Sequence, residues 1–424
     1  MNCAQSREDL DGVENAAPLH RSTATSTVIF DTAEVDERFI ADPYPRYREL
    51  RERDPIHRCA DGTWLLTRYA DLDRIYRDRR AFSSDKHAAF APKFGTGSPL
   101  YEHHTTSLVF SDPPYHTRIR RAIVAALTPR ILKDMSPQVT ALVDRLLERI
   151  GELGEFDAIG DFAAAIPVEV IGNLLTVPRQ EREPLRDWSL AILGGLEPTL
   201  TPEVRRRGET AVSEFLEYLR ELIAKRRKDP VDEDGMLARL IREERAAEPI
   251  SERELLHNCM FLLNAGHETT TNLIGNGIAL LLENPEALRR LQADPSLIAG
   301  AVEECLRCES PNQLGNRLVV EPVQVGEVSF APGAYLHLGI GAANRDPAVF
   351  ADPDRFDIAR SPNPHLAFAA GGHACAGMSV ARLEGQIALQ RLFQRFPRLH
   401  ARGPGTRSGR IRFRGFVSLP LAIG

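Results

Sequence analysis

Phe368-Ala-Ala-Gly-Gly-His-Ala-Cys-Ala-Gly377 is the stretch from which the rest of the chain is read. It sets one cysteine, Cys375, in a run of small residues. Behind it Val380, Leu383, Ile387, Ala388, Leu392 and Phe396 recur at helical spacing, so Cys375 lies in a tight loop where a helix opens. The free amides and partial positive charge of a helix start stabilise a thiolate. Glycines at 371, 372 and 377 let the backbone approach something large and flat. On its own a lone cysteine is more often a small buried hydrophobe. A thiolate on such a loop is also what a haem iron needs as an electron-donating axial ligand.

The surrounding pattern decides between the two. Phe368, Gly371, His373, Cys375 and Gly377 stand at spacings that resemble the haem-ligand signature of the cytochrome P-450 family. One position departs: the family usually has glycine after the phenylalanine, and here it is Ala369. The resemblance implies non-covalent haem b with the Cys375 thiolate on iron. It also implies a loop shaped by Phe368, Gly371 and Gly377, with His373 beside a haem propionate.

The chain has 424 residues, 43% of them hydrophobic, enough for a sizeable core. No Pro/Gly/Ser linker divides it, so we expect a polar flexible leader over residues 1–30 and one domain over 31–424. The net charge of −6 gives no case for nucleic acid or an anionic membrane. No apolar run reaches the roughly eighteen residues that span a bilayer, and no signal peptide is apparent. Six scattered cysteines point to a reducing cytoplasm rather than a disulfide framework.

Three further motifs follow the family's order. Asp112-Pro-Pro-Tyr-His-Thr-Arg-Ile-Arg-Arg121 opens a helix with His116 and Arg120 on one face. Alone this is a weak signal; the resemblance implies a propionate-binding helix. Ser251-Glu-Arg-Glu254 is a capping box opening a long apolar helix to about Leu282. In its middle lies Ala265-Gly-His-Glu-Thr-Thr270. A helix over haem must come close, which Gly266 permits, and Glu268 beside Thr269 is an acid–alcohol pair able to relay protons. A zinc-protease reading of His267-Glu268 fails because residue 271 is Thr, not His. Glu304 and Arg307 lie three apart on one helix face. The resemblance makes them a structural pair, with Arg355 as third member. Cys305-Leu-Arg-Cys308 lacks a second cysteine pair for zinc and a following histidine for covalent haem, so both are read as plain helix residues.

Elsewhere Ser136-Pro and Thr201-Pro read as helix starts. Residues 83–110 read as a long loop over substrate, and Phe416 to Pro420 as a turn dipping into the pocket. Arg317 resembles a second propionate arginine. Phe90, Phe94, Leu263, Asn312, Leu314 and Phe416 are expected to line the pocket.

The resemblance therefore implies a mainly α fold with a small β region, haem lying between the long central helix and the Cys-loop helix. It implies a cytoplasmic monomer that inserts one oxygen atom of dioxygen into a small or medium apolar substrate. Electrons would come from NAD(P)H through a separate ferredoxin and reductase, with Arg118, Arg121 and Arg382 as docking residues. A peroxide-dependent peroxygenase and a non-catalytic haem sensor on the same fold stay open, although the intact Glu268–Thr269 pair argues against both.

Overall fold

In the computed structural model, residues 28–233 and 235–424 are described. Most of the expected leader, residues 1–27, lies outside them. Its last residues are packed: Val28 is buried in a cluster with Leu50, Leu65 and Leu314. The Phe30 carbonyl lies 2.7 Å from His57 Nε2.

Everything is arranged about the helix Glu252–Glu283. Its start is the expected capping box: the Glu254 amide donates to Ser251 Oγ at 3.2 Å, and the Ser251 amide to Glu254 Oε2 at 2.6 Å. Most of the helix's residues are buried, polar ones included, so it is covered on nearly all sides. Ala165–Leu174, Leu185–Gly194, Pro202–Lys228, Ile298–Cys308 and Met378–Arg395 pack against it.

Thr201 caps Pro202–Lys228 as expected. The other expected start, Ser136-Pro137, is wrong: Pro137 lies inside Pro129–Leu153, which Thr128 caps. Thr128-Pro129 carries the same signal a little earlier, and Val139, Val143, Leu147 and Ile150 bury one continuous stripe beyond Pro137. Residues 83–110 are not a plain loop. They form two short helices, His87–Phe94 and Pro99–Thr106, and a turn of 3₁₀ helix at Leu108–Phe110.

The β region is small. Its main sheet runs Ile56–Arg58, Trp64–Leu66, Tyr335–Gly339, Leu314–Val319, Phe82–Ser83 in spatial order. Leu314–Val319 pairs antiparallel with Tyr335–Gly339, setting Asn316 opposite His337 and Leu318 opposite Tyr335. Because strand side chains alternate, these four share one face and Arg317 lies on the other.

Candidate active site

The loop before Met378–Arg395 is pinned by main-chain bonds. The Cys375 amide donates to the Phe368 carbonyl at 2.9 Å, and the Ala369 amide to the Leu366 carbonyl at 2.8 Å. Gly371 has φ +67°, and a Cβ there would lie 2.4 Å from the Tyr76 carbonyl oxygen, so glycine is required. Ala369 has φ +54°, the left-handed region where a side chain is strained.

Cys375 opens onto a cavity of about 330 Å³. Burial pushes its thiol up, while the Gly377 amide and the charges of Arg120 and Arg382 pull it back toward the thiolate. The facing wall is the central helix, through Ala265, Gly266, Thr269, Thr270 and Leu273. The four other described cysteines are buried elsewhere. Cys308 Sγ accepts from Arg307 Nη2 at 3.0 Å, in keeping with the plain reading of the Cys-x-x-Cys spacing.

One rim of the cavity is cationic. His116, Arg120, Arg317 and His373 all line it. The two imidazole centroids lie 3.9 Å apart with the rings tilted by 35°, and neither nitrogen of His116 has a hydrogen-bond partner among the described residues. Burial, with Arg120 and Arg79 behind it, holds His116 down at about 4. Burial and then Arg317 hold His373 at about 2. Arg317 lies over the Tyr76 ring at 5.1 Å. Arg79, which the sequence reading missed, packs over Gly372, where a Cβ would lie 2.4 Å from its Nη2. Crowded cations and unpartnered imidazoles fit a group with a doubly anionic edge, and a cysteine open to the same cavity fits its metal. The donor set suits haem.

The central helix runs unbroken past this cavity. Thr269 Oγ1 donates to the Ala265 carbonyl at 2.7 Å. The missing side chain of Gly266 would meet Ile171 Cδ1 at 2.7 Å, so glycine also serves the close approach of Ala165–Leu174. Glu268 faces away from the cavity and is held by Arg410, whose Nη1 donates to both carboxylate oxygens at 2.6 and 2.8 Å. Burial pushes this carboxyl up to about 7 against the pull of Arg410.

The Glu304–Arg307 pair is fully buried and bidentate, both bonds at 2.8 Å. Its expected third member is wrong. Arg355 offers only its carbonyl, which accepts from Arg307 Nη2 at 3.0 Å, while its side chain is exposed. The second cation on Glu304 is Arg360, at 3.1 Å. The chain turns between the two positions, so an inward carbonyl at 355 goes with an outward side chain. The Asp357 amide and Asn363 Nδ2 complete the carboxylate at 2.9 and 3.0 Å.

Of the six expected pocket residues only Asn312 lines the cavity. Phe90 and Phe94 stand behind Phe110, with Phe90 and Phe110 centroids 5.0 Å apart. Leu263 is fully buried away from the cavity because its neighbour Leu262 has the helical phase that faces it. Leu314 is buried in the sheet core. Phe416 pairs with Arg407 in a strand and lies under its guanidinium at 3.9 Å. The C-terminal residues that reach the cavity are Arg412 and Phe413.

Two of the three expected docking arginines are engaged. Arg118 binds Glu254 at 2.6 Å and Arg382 binds Glu303 at 2.8 Å through two nitrogens. Arg121 is exposed, with Glu248 3.8 Å away.

A cysteine loop facing a long helix across an apolar cavity, with a cationic rim, defines a haem-thiolate protein. Residues 196–408 match the family model described as Cytochrome P450. The chain belongs to the cytochrome P450 family. It is 38% identical to Cytochrome P450 107B1 of Saccharopolyspora erythraea, over 94% of this chain and 100% of that protein. It is 36% identical to the Biotin biosynthesis cytochrome P450 of Bacillus subtilis, over 88% of this chain and 93% of that one. The crystal structure of P450BioI in complex with hexadec-9Z-enoic acid ligated Acyl Carrier Protein superposes with a TM-score of 0.86 at 35% identity, covering 92% of this chain and 100% of that chain. The protein is thus a cytochrome P450 oxidoreductase of the monooxygenase class, mainly helical with small sheets, that binds haem b through a cysteine thiolate. None of the described helices is long and apolar enough to cross a membrane.

Proposed function

We propose that Cys375 is the thiolate that holds haem b, and that the protein hydroxylates a small or medium organic molecule with electrons delivered by a separate ferredoxin and NAD(P)H-dependent reductase. The observation that carries this is the opening of Cys375 onto a cavity that Ala265, Gly266 and Thr269 of the central helix also line. His116, Arg120, Arg317 and His373 would hold the propionates, and Phe368, Gly371 and Gly377 shape the loop. Haem, once bound, supplies the activation of dioxygen and the oxygen insertion.

The chain's own residues do the rest. The Gly377 amide, Arg120 and Arg382 stabilise the sulfur as an anion. Thr269 Oγ1 stands at the cavity to hand on a proton, and Glu268 behind it supplies one from a carboxyl poised near neutrality. Leu193, Leu196, Met236, Phe261 and Phe413 exclude water and bind an apolar body. Glu304, Arg307 and Arg360 hold the segment leading into the cysteine loop. We read residues 31–424 as one catalytic domain acting as a monomer. Relatives named 6-deoxyerythronolide B hydroxylase and Cyclomarin C epoxidase CymV, each 35% identical, support organic substrates of medium size.

The test is turnover of a substrate found by optical titration, in which a displaced iron-bound water shifts the spin state. Product with ferredoxin and reductase, but not with peroxide alone, is the expected result. Product with peroxide alone makes the protein a peroxygenase. Saturable binding without product under either condition makes it a haem sensor.

A further inference from the structure

The cavity wall carries one cation besides those assigned above to the propionates. Arg412 is buried and lines the cavity beside Asn312, Asn316 and Phe413. Among the described residues no carboxylate forms an ion pair with its guanidinium. Its partners there are neutral. The hydrogen-bonding neighbourhood turns the Asn316 amide so that Oδ1 accepts from Arg412 Nη2 at 2.8 Å and Nη1 at 3.2 Å, with the Tyr335 hydroxyl on the same oxygen at 3.1 Å. Glu197 is close by but faces the main chain: its Oε2 accepts the amides of Ile411 and Arg412, each at 3.2 Å.

More positive charge stands behind. Lys86 is fully buried, and among the described residues its Nζ has only two distant carbonyls, Ser83 and Asp85, each at 3.4 Å, and the Tyr335 ring at 5.5 Å. Lys93 Nζ donates to the Glu197 carbonyl at 2.6 Å. The nearby Asp112 is taken up by the Ser83 hydroxyl and the Ser84 amide. Burial, then Arg317 and Arg412, hold the Lys86 ammonium down at about 7. Buried charge with no carboxylate in direct contact is costly, and a guanidinium at a cavity wall matches a carboxylate.

We infer that Arg412, backed by Lys86 and Lys93, is a carboxylate-binding subsite of the cavity, and that the substrate is an amphipathic carboxylic acid whose apolar body lies against Leu193, Leu196 and Met236. This rests on the cavity being the substrate chamber proposed above. A haem propionate is the competing occupant. It is already served by His116, Arg120, Arg317 and His373, and Arg317 projects from the opposite face of the strand to Asn316, which holds Arg412.

The experiment is optical titration of the haem-loaded protein with decanoic to hexadecanoic acids and arylalkanoic acids, each against its methyl ester and primary amide. At least one acid is expected to bind about tenfold more tightly than its ester and amide, the size of one charge-assisted hydrogen bond. In R412Q that preference collapses, while haem content and imidazole affinity stay as in the unaltered protein. The acid–ester comparison needs no variant, so it stands even if R412Q does not fold. Equal or weaker binding of every acid, or no acid binding, overturns the subsite. Loss of haem from R412Q with the acid preference absent makes Arg412 a propionate partner and also overturns it. Absence of a thiolate-type spectrum in the ferrous carbon monoxide adduct of the unaltered protein would instead fault the Cys375 assignment.

Discussion

Arg410 holds both carboxylate oxygens of Glu268 through Nη1 and, through Nη2, donates to the Leu190 carbonyl at 3.0 Å. One side chain from the C-terminal segment thus ties the central helix's acid to the helix Leu185–Gly194, whose Leu193 lines the cavity. Burial lifts Glu268 to about 7 and Arg410 pulls it down. R410Q should therefore raise the carboxyl further. If Glu268 passes protons, the corresponding limb of the kcat–pH profile moves to higher pH by roughly one unit and disappears in E268Q. Superimposable profiles of product formation in R410Q and the unaltered enzyme would remove Glu268 from the relay.

The Glu304 network ranks three arginines. Arg307 is buried with five hydrogen bonds or more spread over Glu304 and the carbonyls of Asn344, Pro353 and Arg355. R307A leaves a buried carboxylate short of its partner and should cost about 3–5 kcal/mol. R360A removes one charged bond to Glu304 and should cost about 1–3 kcal/mol. R355A touches an exposed side chain and should stay within about 0.5 kcal/mol. Thermal unfolding of the haem-loaded variants gives the order; a large loss in R355A would reverse it.

Ala369 occupies a left-handed backbone position at φ +54°. Glycine relieves the steric cost but adds freedom to the unfolded chain, so A369G should stabilise the protein by up to about 1 kcal/mol. A higher Tm with an unchanged ferrous carbon monoxide spectrum is the expected result. A lower Tm would mean that the methyl group packs against something that outweighs the strain.

Glu384 lines the cavity, its Oε2 has no hydrogen-bond partner among the described residues, and burial alone pushes its carboxyl up to about 8. The fold holds the neutral acid. Its contribution to stability is therefore full below the unfolded carboxyl's pKa and is lost as pH rises through about 8. E384Q keeps a neutral side chain, so its advantage in stability should be smallest at about pH 5 and largest at about pH 9. A constant difference in Tm across that range would show that Glu384 does not titrate there.

The cysteine loop, the capping box at Ser251–Glu254, the Glu304–Arg307 pair and the His116–Arg120 face could all be read from the sequence. Each is a set of residues within one turn or one loop, so spacing alone brings them together. Ala369 was visible as a departure, though only its φ gave the departure a physical meaning. What escaped the sequence depends on where distant segments meet. Arg360 rather than Arg355 reaches Glu304 because of a turn in a non-helical stretch that has no period to read. Leu262 rather than Leu263 faces the cavity because a helix turns by about 100° per residue, and a helix buried on nearly all sides, with polar residues among the buried ones, gives no clean stripe from which to take its phase. Arg410, Arg412 and Phe413 belong to a C-terminal segment far in sequence from the residues they touch. Local chemistry was determined by the order of residues; which charges face the acid, the haem edge and the substrate was decided only when those segments packed against the central helix.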